Sequence, residues 1–241
     1  MKVVGIIPSR YASTRFPGKP LAMIKGKTMI RRVCEQAWKS KLDAVVVATD
    51  DMRIADEVLT FGGQYVLTNP NHQSGTDRCC EALYMLDKQY DAVVNIQGDE
   101  PFIDPRQIDQ VADLIRQPEV NLATLARKIT NPDLVDNPNT VKVVFGNDGN
   151  ALYFSRYPIP YLRNGAEVDH YQHIGIYAYK SQALRAIADM PAGKLEQAES
   201  LEQLRWLENG LKIKVAVTDI ASTYSIDTPD DLTHLPKDLL Q

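Results

Sequence analysis

The sequence predicts one α/β domain, with a mixed, mostly parallel sheet flanked by helices. Through residue 117, short apolar runs alternate with segments of helical periodicity, the signature of parallel strands joined by helical crossovers. From Asn121 onward, strand-like runs follow one another without long helices between them, so this part extends the same sheet with antiparallel or mixed strands. No repeat and no low-complexity linker divides the 241 residues, and a hydrophobic content of 44% supplies a packed core.

The elements follow in order. "VVGII" (3–7) is a continuous β-rich run that predicts a buried strand stopped by Pro8. "TMIRRVCEQAWKS" (28–40) places apolar residues at 29, 30, 33, 34, 37 and 38, which is helical spacing. "DAVVVATD" (43–50) predicts a second buried strand, and "DMRIADEVLTFGG" (51–63) a helix with an acidic start and a glycine stop. "QYVLT" (64–68) is a short strand, and "SGTDRCCEALYMLDKQY" (74–90) a helix opening near Ser74 or Thr76. "DAVVNIQGDEPFID" (91–104) reads as a strand running into an acidic loop, and "PRQIDQVADLIRQ" (105–117) as a helix with proline in its first turn. "NLATLARKI", "TVKVVFG", "ALYFSRYPIP" and "HIGIYAYK" are the strand-like runs of the second half, with "FGNDGNAL" turning between two of them. "SQALRAIADM" and "ESLEQLRWLENG" predict helices, "KIKVAV" a late strand and "TPDDL" a helix start.

Composition removes several classes of function. A formal net charge of -4 argues against a sequence-independent nucleic-acid binder, and any bound polyanion needs a local cationic cluster. No apolar run approaches the about 18 residues of a membrane span, and "MKVVGIIPSRY" is charged too early for a secretory signal. The three cysteines, Cys34, Cys79 and Cys80, form neither a disulfide framework nor a zinc spacing, and read as buried small hydrophobes in a reducing cytoplasm.

Ligands of open α/β sheets bind beyond the carboxyl ends of the strands. The loop "PSRYASTRFPGKP" (8–20) lies at such an end and carries Arg10, Arg15 and Lys19 among small residues that let backbone N–H groups approach phosphate. Its structural alternative is a solvated basic loop. Gly26-Lys27-Thr28 copies the end of a phosphate-binding P-loop, but Leu21 stands where that motif needs glycine, so a turn entering a helix is expected there. In "NIQGDEP" (95–101), Asp99 follows a buried strand, and a carboxylate beside a polyphosphate is a natural magnesium ligand; an acidic helix cap is the alternative. "YSIDTPDDL" (224–232) places Asp227 at a further expected strand end, with helix capping as its alternative. His170 and His173 are spaced i, i+3 in a strand-like region, where their side chains face opposite ways, so they do not read as a zinc site. Neither GxSxG nor GxGxxG occurs.

Taken together, "IIPSRYASTRFPGKPL", "HQSGTDR", "NIQGDEP", "ALYFSR", "HIGIYAY", "LEQLRWLENG" and "DTPDDL" resemble the 3-deoxy-manno-octulosonate (Kdo) cytidylyltransferases, in order and over nearly the whole chain. The resemblance implies a single Rossmann-like nucleotide-binding domain over 1–241, with a small protruding dimerisation arm at about 155–175. It implies transfer of CMP from CTP to the anomeric hydroxyl of Kdo, giving CMP-Kdo and pyrophosphate for lipopolysaccharide synthesis, in a cytoplasmic homodimer that engages neither nucleic acid nor membrane. It assigns CTP to Pro8, Ser9, Arg10, Arg15, Lys19, Ser74, Gly75, Thr76 and Arg78, with Arg10, Arg15, Lys19, Asp99 and Asp227 carrying the catalysis. Mg²⁺ falls to Asp99 and Asp227, and the sugar acid to Gln97, Arg156, His173, Tyr177, Glu202 and Gln203. Transfer to 8-amino-Kdo or a sialic acid is the alternative within enzymes, and a non-catalytic nucleotide-binding protein the alternative outside them.

Overall fold

The computed structural model describes residues 1–12, 15–221 and 224–235. Its elements are β1 (Val3–Ser9), β2 (Met23–Ile24), β3 (Lys27–Thr28), α1 (Met29–Ala37), β4 (Ala44–Thr49), α2 (Met52–Thr60), β5 (Tyr65–Leu67), α3 (Gly75–Met85), β6 (Ala92–Asn95) and α4 (Pro105–Ile115). There follow β7 (Leu122–Lys128), α5 (Asp133–Asp136), β8 (Lys142–Phe145), β9 (Ala151–Ser155), β10 (Tyr171–Lys180), α6 (Ser181–Ala188), α7 (Lys194–Glu199), α8 (Gln203–Glu208), β11 (Lys214–Val217) and α9 (Pro229–Thr233).

Among the described residues, nine strands form one sheet, with path order β11-β7-β10-β6-β1-β4-β5 and β8 and β9 continuing from β10. β6, β1, β4 and β5 run parallel, as does the β7–β11 pair. β10 runs antiparallel to β6 and β7, and β8 antiparallel to β9, as the change of pattern after Asn121 predicts. The chain winds from β1 to β4 and β5 on one side, then crosses to β6 on the other. The topological switch point therefore falls between the carboxyl ends of β1 and β6.

Alternation along the buried strands feeds two cores. Val3 and Ile7 face the layer that contains Ile30, Val33, Ile54, Val58, Ile108 and Val111 of α1, α2 and α4. Val4 and Ile6 face the layer that contains Cys79, Leu83, Leu184, Ile187, Leu204 and Trp206 of α3, α6 and α8. Burial pushes the Cys34 thiol up to about 12 and the Cys80 thiol up to about 11, so these cysteines serve as packing groups. A third, small apolar cluster of Ile24, Met29 and Ile226 is flanked by Phe16, Phe102 and Tyr224. It ties the loop after β1 to the chain beyond β11.

Helix starts obey local capping. The side chains of Thr28, Asp51, Ser74 and Asp104 accept backbone N–H bonds at the starts of α1, α2, α3 and α4. Three expectations need correction. β1 does not stop at Pro8 but runs to Ser9, paired with β4. β6 has ended opposite Ile6, so there β1 has a neighbour on one side only and tolerates a residue without N–H. "ESLEQLRWLENG" is not one helix, because Ser200 takes a left-handed conformation (φ 52°) that ends α7 before α8 begins. The chain before Asp227 is not a strand among the described residues, since β11 ends at Val217. Gly26-Lys27-Thr28 belongs to the β2–β3 hairpin, where Lys25 and Gly26 both take positive φ, and Thr28 caps α1. Lys27 pairs with Glu35 at 2.6 Å.

Candidate active site

The loop after β1 is folded back on itself. Gly18 N–H donates to the Tyr11 carbonyl at 2.9 Å, and Gly18 adopts φ +70° with its α-carbon face against the Tyr11 ring. Arg53 also holds the loop, its guanidinium carbon 3.3 Å from the Tyr11 ring centroid. This closure points Lys19 inward, with its side chain only 15% exposed. Lys19 Nζ lies 2.8 Å from Asp99 Oδ2 and 3.3 Å from Asp227 Oδ1. Arg15 Nη2 reaches the same Asp227 oxygen at 3.1 Å. Arg10, at the end of β1, is exposed.

Each aspartate has a local reason to be there. Gly98 brings the end of β6 against the end of β1 so closely that a Cβ on it would sit 2.8 Å from the Pro8 carbonyl oxygen. No larger residue fits without shifting backbone, and Asp99 follows directly. Asp227 reaches the site through a different device. Ile226 is fully buried and donates its N–H to the Asp99 carbonyl at 3.0 Å. Asp231 Oδ2 accepts from the N–H groups of Asp227 and Thr228, both at 2.8 Å, and from the Thr228 hydroxyl at 3.0 Å. Burial works to raise the Asp231 pKa, but the Thr228 and Asp227 N–H groups outweigh it and hold the carboxyl below its usual range. Asp231 was missed as a site residue, although Thr228 and Asp231 stand at capping-box spacing.

The nucleotide-side candidates gather at the first turn of α3. A Cβ on Gly75 would lie 3.2 Å from Pro8 Cγ, so glycine lets this turn approach the end of β1. Ser74 caps the helix through the Asp77 N–H, and Ser9 Oγ lies buried nearby without a hydrogen-bond partner among the described residues. Arg78 faces inward instead of toward the loop: it is 3% exposed, and its guanidinium donates to Thr68 Oγ1 at 2.6 Å and Asp50 Oδ2 at 3.1 Å. Its geometry makes it a clamp joining α3 to the ends of β4 and β5.

The sugar-side candidates line the next strands. β10 changes register between Ile174 and Tyr177, and the Gly175 carbonyl in that irregularity accepts from Gln97 Nε2 at 3.0 Å. Arg156 is held by three carbonyls, those of Glu199, Pro138 and Ser200, and Glu199 accepts from the Ser155 hydroxyl and the Arg156 N–H. Beneath it, fully buried Lys142 donates to the carbonyls of Asn137 and Arg156, and burial lowers its pKa. His173 packs edge-on to Phe154, with ring centroids 5.0 Å apart, and lies beside Tyr177. Its Nε2 lies 2.9 Å from Thr124 Oγ1, whose hydroxyl faces the Ile176 carbonyl at 2.8 Å, so Nε2–H is the donor to Thr124. Burial pushes the His173 pKa down to about 3, leaving a neutral ring at physiological pH. Tyr177 and Gln203 are buried, and the Tyr177 hydroxyl has no partner among the described residues. Glu202 Oε2 accepts from Thr76 Oγ1 at 3.0 Å, joining the two groups of candidates. His170 stands apart from His173, its Nε2 3.1 Å from the Pro160 carbonyl.

A family model described as cytidylyltransferase matches residues 4–213. The chain is 52% identical over 242 residues to the 3-deoxy-manno-octulosonate cytidylyltransferase of Parabacteroides distasonis, covering 96% of each. It is 50% identical over 236 residues to the 8-amino-3,8-dideoxy-manno-octulosonate cytidylyltransferase of Shewanella frigidimarina, again covering 96% of each. Among solved structures, a CMP:2-keto-3-deoxy-manno-octonic acid synthetase complexed with CTP superposes with a TM-score of 0.91 at 42% identity, covering 97% of this chain and 96% of that one. This chain belongs to the 3-deoxy-manno-octulosonate cytidylyltransferase family. It is a nucleotidyltransferase, and the α/β architecture read from its sequence is the architecture of that family. The family model ends at residue 213, before the candidate Asp227, whereas the near full-length relatives align over 96% of the chain.

His173 makes stability depend on pH. Its folded pKa lies below the ordinary 6.5, so the unfolded chain binds the extra proton between these values. Stability is therefore unaffected by this ring above about pH 6.5 and falls as pH drops toward 3, with a slope limit of about 1.4 kcal/mol per pH unit. Thermal denaturation of wild type and His173→Gln from pH 8 to pH 5 checks this, and the expected outcome is a shallower acid decline in the variant.

Proposed function

We propose that this cytidylyltransferase transfers CMP from CTP to the anomeric hydroxyl of Kdo, releasing CMP-Kdo and pyrophosphate for lipopolysaccharide synthesis in the cytoplasm. The observation that carries the reading is the convergence of Lys19, Arg15, Asp99 and Asp227 at the switch point of the sheet, beside the first turn of α3. Identity of 52% to a curated Kdo cytidylyltransferase supports the choice of sugar. No helix among the described residues is long and apolar enough to cross a membrane. The acceptor hydroxyl attacks the α-phosphorus and gives up its proton to solvent, the bond from the α-phosphorus to the α,β-bridging oxygen breaks, and pyrophosphate leaves with that bond's electron pair. No protein nucleophile is needed, so the residues position and neutralise. Arg10, Arg15 and Lys19 bind the triphosphate, with α3's first turn and Pro8–Ser9 taking the nucleoside end. Gln97, Arg156, His173, Tyr177, Glu202 and Gln203 orient the sugar acid.

Asp99 and Asp227 fit Mg²⁺. Both are hard oxygen donors within reach of one shared cation, Lys19 Nζ, and Mg²⁺ is commonly held by one or two carboxylates together with substrate phosphates. Bound there, it supplies charge neutralisation on phosphate oxygens and acidification of a coordinated hydroxyl. Identity of 50% to an 8-amino-Kdo enzyme favours that sugar as the second reading.

Pyrophosphate release with CTP and Kdo tests the main reading. Turnover is expected with CTP and not with ATP or GTP, and competition between Kdo and 8-amino-Kdo identifies the preferred acceptor; equal rates with ATP and CTP would contradict the assignment. Asp99→Asn and Asp227→Asn are each expected to lower turnover by at least one to two decades, the scale of about 1.5–3 kcal/mol for a charged contact, with melting temperatures nearly unchanged. Rates measured against magnesium concentration check this, and full wild-type activity in excess EDTA would remove the metal.

A homodimer belongs to the same reading. Between β9 and β10 the connection carries Tyr157 and Tyr161 at 76% and 86% exposure, with Leu162 and Val168 also exposed. Such a group of large exposed side chains supports a contact surface there. Sedimentation equilibrium is expected to give a dimer for wild type and a shift toward monomer for Tyr161→Glu.

A further inference from the structure

The candidate nucleotide and sugar groups come from opposite halves of the chain, yet one hydrogen bond joins them directly. Thr76, in the first turn of α3, donates its hydroxyl to Glu202 Oε2 at 3.0 Å, across 126 residues of sequence. Thr76 is 2% exposed, so this bond is shielded from water. The Ser74 hydroxyl, at the cap of the same helix, also interacts with the Glu202 carboxyl. Glu202 immediately precedes α8, whose first residue is Gln203, and its second oxygen, Oε1, is buried without a partner among the described residues. The charged groups around this carboxyl are Arg205 on α8 and Asp77 on α3, with the Tyr177 and Tyr179 hydroxyls of β10 and the Cys79 thiol of α3 beside it. Burial raises its pKa; Thr76, Arg205 and Ser74 pull the other way.

We propose that the Thr76–Glu202 hydrogen bond couples the binding of nucleotide to the binding of sugar acid, with Thr76 a positioning residue that acts on the sugar through Glu202. The proposal rests on the functional reading above. CTP seated on the first turn of α3 fixes the Thr76 hydroxyl, and that hydroxyl fixes the Glu202 carboxyl. The sugar acid then meets a group already ordered, and its binding costs less ordering free energy. Linkage makes the effect reciprocal, so the sugar acid tightens nucleotide by the same factor. Two anionic ligands would by charge alone oppose one another, and a Mg²⁺ shared between them would offset that repulsion, so what is specific to this contact is the loss of coupling when the Thr76 hydroxyl is removed.

The test is calorimetric titration with α,β-methylene-CTP and Mg²⁺, which allows both ligands to bind without reaction. Its dissociation constant is measured with and without saturating Kdo, for wild type, Thr76→Ser and Thr76→Val. Valine keeps the shape and packing of threonine and removes only the donor; serine keeps the donor. Wild type and Thr76→Ser are expected to bind the analogue about fivefold tighter or more when Kdo is present. Thr76→Val is expected to show a ratio near one, and to raise KM for Kdo more than KM for CTP. Should Thr76→Val not fold, Glu202→Gln decides, because its amide oxygen still accepts from Thr76 and coupling should persist. No coupling or negative coupling in wild type, coupling intact in Thr76→Val, or coupling lost in Glu202→Gln overturns the proposal. Normal pyrophosphate release accompanied by any of these results overturns the coupling alone, whereas absence of release with CTP and Kdo overturns the functional reading.

Discussion

Lys19 stands between Asp99 and Asp227, and the site depends on that one ammonium. Its contacts at 2.8 and 3.3 Å draw together the loop after β1, the loop after β6 and the segment before α9. Without a cation, two carboxylates at this distance from a common centre repel each other, and the backbone that carries them would separate. With it, the two carboxylates share one positive partner and stay together. Arg15, on the same Asp227 oxygen, adds charge from the outer side. The cluster is only partly buried, so each pair alone contributes modestly to stability; its weight in the proposed function lies in where it places charge.

Close backbone approach makes this convergence possible. Gly98 and Gly75 both press against Pro8, one through its carbonyl oxygen and the other through its ring. Three chain segments thereby meet at the switch point of the sheet, where helices leave on different sides and open a crevice. The small cluster around Ile226 closes the remaining side. Packing thus sets the position of Asp227 as firmly as strand geometry sets that of Asp99.

The residues proposed for the sugar acid follow a different rule. Arg156 spends its guanidinium on backbone carbonyls, Lys142 does the same below it, and His173 stays neutral through burial. These groups brace the strands and the turn between α7 and α8, while the Tyr177 hydroxyl and Glu202 Oε1 keep unfilled hydrogen-bonding capacity. Buried polar atoms left without protein partners are where a polyhydroxylated ligand gains most.

Much of this was legible from sequence. Helical spacing located α1, an acidic start and a glycine stop located α2, a first-turn proline located α4, continuous apolar runs located the buried strands, and Ser74 marked where α3 begins. The loop with Arg10, Arg15 and Lys19 was separable from Gly26-Lys27-Thr28 because a missing glycine disqualifies a P-loop, and the β2–β3 hairpin bears that out. Other features were not legible. Pro8 looked like a strand stop, Asp227 looked like a strand end, Arg78 looked available to nucleotide, and the break at Ser200 left no pattern. Nor did anything local indicate Asp50, Thr68, Thr124 or Glu199 as partners of the candidate residues. The sequence by itself determined which segments are strand or helix and which face of each is apolar, because those properties arise from residues within a turn or two of one another. Tertiary structure alone decided which charges meet and which are braced, because Lys19 finds Asp227 across 208 residues and Thr76 finds Glu202 across 126, separations that only the completed sheet closes.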